Sequence, residues 1–212
     1  MATKNPWTDI PLADYERHMS LPSVGQAQML DEIFGRDLQA FAARSVAVLG
    51  CAGGNGFKRL IGSPVKRAVG VDINPLYLKE LRNRFGVAIP GLELICGDLL
   101  DASVNFAPVQ LVHAALVFEY VEPARLLQRI REWLLPDGVL TAVLQIPTKS
   151  IADITPTPFA SLSRLGPFMK LVPPAILSRH ARKVGLVEES AEVITPGTGK
   201  EFFVGRFRRV GS

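Results

Sequence analysis

Cysteine is almost missing from this chain. Two thiols, Cys51 and Cys96, in 212 residues cannot build a disulfide framework, and with no CxxC pair or Cys/His cluster there is no redox or zinc pattern. Both read as small apolar core residues. Histidine is equally sparse: His18, His113 and His180 are dispersed, and no carboxylate cluster accompanies them, so no metal site is expected. Long hydrophobic runs are absent too. The most apolar stretch, residues 111–118, holds His113 in its middle and falls well short of the roughly 18 residues a membrane span needs. The first eleven residues lack a basic segment followed by an apolar one, so the expected compartment is the cytoplasm. Charge of one sign collects nowhere: 24 Lys and Arg against 20 Asp and Glu give a net +4, scattered as a solvated surface would have it, and no nucleic-acid partner is expected. The densest basic group, Arg206, Arg208 and Arg209, alternates with Phe207 and predicts an edge strand with one wet face.

What is present is a core. With 48% hydrophobic and 21% charged residues the composition is that of a globular protein, and a chain this long buries roughly 70% of the surface its unfolded form exposes. Up to residue 44 the apolar residues Met29, Ile33, Leu38 and Phe41 recur at helical spacing, after a break near Pro22, and predict a helical cap over 1–44. From residue 45 the texture changes to short apolar runs, each ending in Gly or Asp and followed by an amphipathic stretch. Strands are expected at 45–49, 68–71, 92–96, 109–114 and 139–145, nearly continuous apolar runs as parallel strands covered on both faces require. Pro75 and Pro123 open helices in the position a first-turn proline prefers. Leu126, Leu127, Ile130, Trp133 and Leu134 form one face of the second, which the run Pro136, Asp137, Gly138 is expected to stop. Residues 147–174 hold six of the sixteen prolines and form a lid-like insertion whose apolar residues, among them Phe159, Leu162 and Phe168, need something to cover. A helix over 175–184 and strands over 186–194 and 200–208 follow, the last two paired around Pro196 and Gly197. The fold class is therefore α/β, a doubly wound, mostly parallel seven-stranded sheet with a C-terminal antiparallel hairpin strand, occupying residues 45–212.

The chemistry concentrates at strand ends. Residues 46–57, VAVLGCAGGNGF, run from a strand into Gly50, Gly53, Gly54 and Gly56 before a predicted helix over 57–61. Glycine admits positive φ and close approach of a ligand to the main chain, although such turns also serve simply to pack a helix on a sheet. The second strand ends at Val71-Asp72, where a carboxylate can accept from both hydroxyls of a ribose. The third ends at Cys96-Gly97-Asp98-Leu99, where Asp98 can accept from an adenine amine or cap the turn that follows. Three successive strand ends thus face one crevice.

The segments VLGCAGGNG, VGVDINPLYL, LICGDLL and RIREWLLPDGVLTAVL together resemble the class I S-adenosylmethionine-dependent methyltransferases, over residues 24–208. The resemblance implies the Rossmann-like methyltransferase fold, S-adenosylmethionine as cofactor and S-adenosylhomocysteine as product. It places Gly50, Cys51, Ala52, Gly53, Gly54 and Gly56 at the methionine part of the cofactor, Asp72 with Ile73 at the ribose, and Asp98 with Leu99 at the adenine. Two positions depart from the family pattern. Val48 stands where an acid is common, and Ala52 replaces the second glycine.

After the fourth strand the family's acceptor chemistry is written, and here the sequence continues Ala114-Ala115-Leu116-Val117-Phe118-Glu119. It carries no Asn/Asp-Pro-Pro-aromatic motif, so the resemblance points to a small-molecule acceptor. By the same alignment Ala114 and Ala115 border the cofactor and Glu119 is the candidate catalytic group, with a surface or capping glutamate as the alternative. His113, in mid-strand, is expected to be buried and hydrogen-bonded. Tyr15, His18, Met19, Phe118, Phe159 and Phe168 are candidate substrate residues, Tyr15 and Phe118 through aromatic faces that favour a cationic donor. The expected activity is methyl transfer to a small organic acceptor, a reaction carried largely by alignment and exclusion of water. The alternative is a non-catalytic S-adenosylmethionine-binding or scaffold protein of the same fold. A nicotinamide enzyme is disfavoured because no Tyr-xxx-Lys pair appears.

Overall fold

The computed structural model describes residues 5–147, 155–196 and 199–211. Among them the elements run α1 (Leu12–Met19), α2 (Gln26–Ala40), β1 (Ser45–Leu49), β2 (Arg67–Asp72), α3 (Pro75–Phe85), β3 (Leu92–Cys96), β4 (Val109–Ala115), α4 (Pro123–Trp133), β5 (Leu134–Gln145), α5 (Pro174–Lys183), β6 (Leu186–Ile194) and β7 (Phe202–Arg209). The strands form one sheet in the order β3-β2-β1-β4-β5-β7-β6. The first five are parallel to their neighbours, and β7 runs antiparallel to both β5 and β6.

The alternation in β1 shows why the sheet is covered on both sides. Val46 and Val48 pack with Phe34 and Leu38 of α2 and with Leu78 and Leu81 of α3. Ala47 and Leu49 face the other layer, with Leu126, Leu127, Ile130 and Trp133 of α4 and Leu177 of α5. Each fully buried side chain of this kind contributes about 1.5–3 kcal/mol. The helix starts obey the proline rule. Asn74 caps α3 by accepting from the Leu76 amide, and Glu122 caps α4 by accepting from the Ala124 and Arg125 amides, ahead of Pro75 and Pro123. The N-terminal helix α2 lies against the sheet, with Met29, Leu30 and Ile33 on Val143, Phe202 and Val204. Its Asp37 is buried, accepting from Thr141 Oγ1 and Arg206 Nε, both at 2.7 Å.

Four expectations require correction. The helix expected over 57–61 is a short 3-10 turn, Phe57–Leu60, because Ile61 is extended and Gly62 sits at φ +71 ahead of Pro64, a sequence that denies the next helical turn its geometry. Leu134 leaves the α4 face and pairs with Val109 as the first residue of β5. The run Pro136, Asp137, Gly138 then sits within β5, where the register with β4 slips between Val109 and Leu111 and Asp137 takes φ +60. The strand carrying the C-terminal arginines is not at an edge. β7 lies between β5 and β6, and the arginines are engaged: Arg206 by Asp37 and Glu192, Arg208 by Glu189, Arg209 by the Leu134 carbonyl. Finally, Cys51 is buried but Cys96 is exposed, at the end of β3, an edge strand of the sheet. Of the insertion, residues 148–154 lie outside the described residues, as do Gly197 and Thr198 of the expected hairpin turn.

Candidate active site

A cleft of about 760 Å³ opens along the carboxyl ends of the parallel strands, the place where open α/β sheets bind ligands. Its floor follows the strand order. Asp98 and Leu99 stand beyond β3, Asp72 and Ile73 beyond β2, Gly50 and Ala52 beyond β1, Ala115 to Glu119 beyond β4, and Gln145 at the end of β5.

Asp72 is the best-held carboxylate of the floor. Ala52 N donates to its Oδ2 and Asn74 N to its Oδ1, both at 2.8 Å. Burial pushes the carboxyl above its ordinary range, and the amides of Asn74, Ala52 and Ile73 oppose that rise. With three amides on it, the carboxylate keeps acceptor capacity for a ligand. Asp98 is exposed and accepts from the Leu100 amide at 2.8 Å, the capping role its position also allowed.

The glycine turn divides. Gly50, at φ +65, and Ala52, a non-glycine at φ +45, line the cleft. Cys51, Gly53, Gly54 and Gly56 do not. A Cβ on Gly53 would collide with Glu16 Oε1, on Gly54 it would meet the Phe85 ring at 2.9 Å and on Gly56 the Phe34 ring at 2.8 Å. These three glycines therefore admit the chain's own α1, α3 and α2 rather than a ligand. Val48 is buried among Phe34, Leu38 and Phe57, a setting that accounts for its being apolar.

Beyond β4 the chain turns sharply. Leu116 takes φ +54 while its amide donates to the Val143 carbonyl at 2.9 Å. This is a costly conformation for a leucine, and it carries residues 116–119 across the cleft. Ala115 lines the cleft, whereas Ala114 points into the core, as strand alternation requires. Phe118 is also a core residue, touching the cleft from beneath. Glu119 is 1% exposed. Its Oε1 accepts from the Gln145 amide at 2.9 Å, and its Oε2 has no partner. Burial pushes this carboxyl up to about 7. The capping glutamate of this region is Glu122.

The N-terminal segment closes one side of the cleft with aromatic rings. Trp7 meets Tyr15 edge-on at 5.4 Å and Tyr120 edge-on at 5.1 Å, and Tyr15 stacks on Tyr77 at 6.5 Å. Two hydrogen bonds fasten the segment: Tyr77 Oη donates to the Ile10 carbonyl and Asn74 Nδ2 to the Trp7 carbonyl, each at 2.9 Å. Burial, and then the Asp72 carboxylate, raise the Tyr15 phenol above its ordinary range. His18 and Met19 are buried on the cleft wall. His18 is held below its ordinary value by burial and then by the charge of Lys200, and its Nδ1 has no partner. Lys200, itself buried, donates to Gln145 Oε1 at 3.3 Å. Phe168 reaches the cleft and is 40% exposed. Phe159 does not reach it, packing with Ile10, Leu162 and Leu165 instead. His113 is buried away from the cleft against Phe34, with Nδ1 unpartnered rather than hydrogen-bonded, and burial lowers it to about 4.

Trp7, Gln26, Tyr77, Tyr120, Gln145 and Lys200 are cleft residues that reading the sequence did not single out. Two carried a local signal, Gln145 as a polar residue closing an apolar strand and Tyr120 directly after Glu119. The others come to the cleft only through long-range packing. Among the described residues, no group of three or more His, Cys, Asp or Glu side chains is placed to hold a metal ion, and no helix is long and apolar enough to cross a membrane.

Comparison with known proteins agrees with this layout. A family model described as a methyltransferase domain matches residues 46–138. No curated protein matches the chain. Among solved structures, magnesium protoporphyrin IX methyltransferase from Synechocystis PCC 6803, with S-adenosylhomocysteine bound, superposes with a TM-score of 0.74 at 13% identity, covering 96% of each chain. The N-methyltransferase NodS from Bradyrhizobium japonicum WM9, also in complex with S-adenosylhomocysteine, gives 0.63 at 19% identity, covering 99% of this chain and 94% of that one. The [4+2]-cyclase SpnF gives 0.65 at 13%, covering 84% and 81%. At these identities the superpositions speak for the fold, and the family match for the domain that the strand-end acids and the sheet order had already outlined. Residues 46–138 are thus similar to a methyltransferase domain, set in a chain whose described residues share the fold of solved methyltransferases.

Proposed function

We propose that this domain transfers a methyl group from S-adenosylmethionine to a small organic acceptor, and that both molecules lie in the one cleft. The observation that carries this reading is the continuity of the floor from Asp98 and Asp72 through Gly50 and Ala115 to Glu119 and Gln145. It crosses five strands, and at about 4.8 Å per strand it is long enough for a nucleoside, an amino-acid arm and an acceptor laid end to end.

The residues present fit the cofactor. Asp72 has spare lone pairs for the ribose hydroxyls and Asp98 is open to an adenine amine, with Ile73 and Leu99 flanking the ring. Gly50, Ala52 and Ala115 line the cleft between them with no side chain larger than a methyl group. The cofactor supplies a methyl group on a positively charged sulfur, which the faces of Tyr15 and Trp7 favour. The acceptor then occupies the side walled by His18, Met19 and Phe168, under the segments 5–25 and 155–173, which exclude water. Relatives in fold act on small molecules by name, one on magnesium protoporphyrin IX.

A second reading, binding without methyl transfer, draws on the same site. Ala52 holds φ +45 where glycine would be unstrained, Val48 brings no carboxylate, and the fold also serves a [4+2]-cyclase. Calorimetric titration separates the two. Wild type is expected to bind S-adenosylmethionine and S-adenosylhomocysteine but not NAD, and Asp72→Ala to bind both adenosyl ligands about tenfold to a hundredfold more weakly, as loss of charge-assisted hydrogen bonds implies. Unaltered affinity in a folded Asp72→Ala protein would refute the assignment of the ribose site. Tight binding with no turnover of any acceptor would favour the second reading.

A further inference from the structure

Among the described residues Glu119 is a cleft carboxylate with one oxygen both buried and without a partner, whereas the free oxygen of Asp98 is open to solvent. Its Oε1 is fixed by the Gln145 amide at 2.9 Å, its own carbonyl accepts from the Lys170 amide at 2.8 Å, and its Oε2 is buried in the cleft wall without a partner. The nearby ammonium, Lys200, is directed to Gln145 Oε1 at 3.3 Å. No cation lowers the Glu119 carboxyl; only backbone amides, those of Gln145 and of Glu119 itself, oppose the effect of burial. An ionised carboxylate in such a place is costly until a cation or strong donor reaches it. The group also sits at the β4–β5 end of the floor, two strands beyond Asp72 on the side away from Asp98.

Resting on the cofactor reading above, we propose that the acceptor is an amine and that its reacting nitrogen docks on Glu119 Oε2. A neutral hydroxyl would satisfy the oxygen but leave the buried charge uncompensated, and a carboxylate would repel it. An ammonium does both tasks, and the neighbouring rings of Tyr120, Trp7 and Tyr15 favour a cation. The arrangement also supplies the proton step. The bound ammonium gives one proton to Glu119 Oε2, which frees the nitrogen lone pair. The nitrogen then bonds to the methyl carbon as the carbon–sulfur bond breaks, the sulfur keeping that electron pair. The product is a methylated ammonium and S-adenosylhomocysteine, and Glu119 later releases its proton to water.

The test uses primary and secondary amines with aryl or alkyl tails, each matched by the alcohol and the carboxylic acid of the same skeleton. Binding to protein saturated with S-adenosylhomocysteine is measured by calorimetry and turnover by product formation, in wild type, Glu119→Gln and Glu119→Asp. Wild type is expected to bind and methylate amines in preference to their partners. In Glu119→Gln, amine affinity and kcat/KM should fall by about tenfold to a hundredfold, while S-adenosylhomocysteine affinity stays within about twofold. Glu119→Asp, which keeps the charge, should recover part of the amine affinity. Amine binding that survives in Glu119→Gln overturns the proposal, as does wild type preferring the alcohols or acids. Loss of S-adenosylhomocysteine affinity in Glu119→Gln also overturns it, because the carboxylate would then be reading the cofactor. If wild type binds neither adenosyl ligand, the cofactor reading itself fails, and that failure is visible before any amine is added.

Discussion

Glu119 sets a measurable relation between pH and stability. In the unfolded chain its carboxyl titrates near 4.5, and in the native protein burial moves it up to about 7. Below pH 4.5 both states hold the proton and the group is neutral in its effect. As pH rises from 4.5 to 7 the unfolded chain gives up its proton while the native state keeps it, so the unfolded state is favoured and stability falls. Above pH 7 both are ionised and the slope ends. A displacement of this size is worth about 3 kcal/mol. His113 acts in the opposite sense over nearly the same range. Burial lowers it to about 4 from an ordinary 6.5, so native stability is lost as pH falls from 6.5 to 4, again by about 3 kcal/mol, and His18 shifts in the same direction. The wild-type profile alone is therefore nearly flat where the two overlap, and only a difference between proteins exposes either group. Glu119→Gln retains an oxygen for the Gln145 amide and cannot ionise. Urea denaturation of both proteins between pH 4.5 and 8, without ligand, should show Glu119→Gln gaining on wild type as pH rises, until it is more stable by about 3 kcal/mol above pH 7. A difference that stays constant within 1 kcal/mol would refute the claim that this carboxyl is buried without a counter-charge. With a bound amine the difference should shrink, because the ammonium supplies the missing charge.

Other consequences follow from the same structure. Asp37 is 1% exposed and fixes Thr141 and Arg206 from α2; Asp37→Ala should cost about 3–5 kcal/mol in urea denaturation, as removal of one partner of a buried ion pair does. Arg36→Ala, which breaks an exposed pair with Glu192, should cost less than about 1 kcal/mol, and equal losses in the two variants would contradict the burial difference. Ala52→Gly removes a side chain from φ +45 and should stabilise by about 1 kcal/mol, a rise of about 2–4 °C in Tm; a lower Tm would show that the turn is not strained.

The parallel strands were the most legible part of the fold because burial on both faces leaves their sequence almost no choice. β1 and β3 begin and end where the apolar runs do, and β6, the antiparallel strand at the far edge, also keeps its expected bounds. The errors fell where a local pattern has two structural solutions. Leu134 continues the apolar stripe of α4, yet Pro136 disfavours the helical conformation at Leu135, so the helix has no turn to continue into, and Leu134 pairs with Val109 instead. Alternating arginines describe a strand with one polar face, and such a face arises either from water or from acids on neighbouring elements. Asp37 lies 169 residues from Arg206, and no window on the sequence contains both.

The site divides along the same line. Asp72 and Asp98 could be found because a carboxylate at the end of an apolar strand is placed by the strand itself. The glycines could be recognised as glycines, but what each one admits depends on Glu16, Phe85 and Phe34, which belong to three different helices. Glu119 shows the combination. Its position after β4 was legible, while the feature that makes it chemically pointed, an oxygen buried without a partner, comes from the end of β5 closing over it. That is also why the roles of its neighbours Gln145 and Lys200 were not legible: a polar residue closing an apolar strand marks Gln145 only as a strand end, and each acquires its role only when β5 and the approach to β7 meet beside the turn after β4. Strand ends therefore encode where a ligand lies, and the contacts between strand ends encode which chemistry it meets.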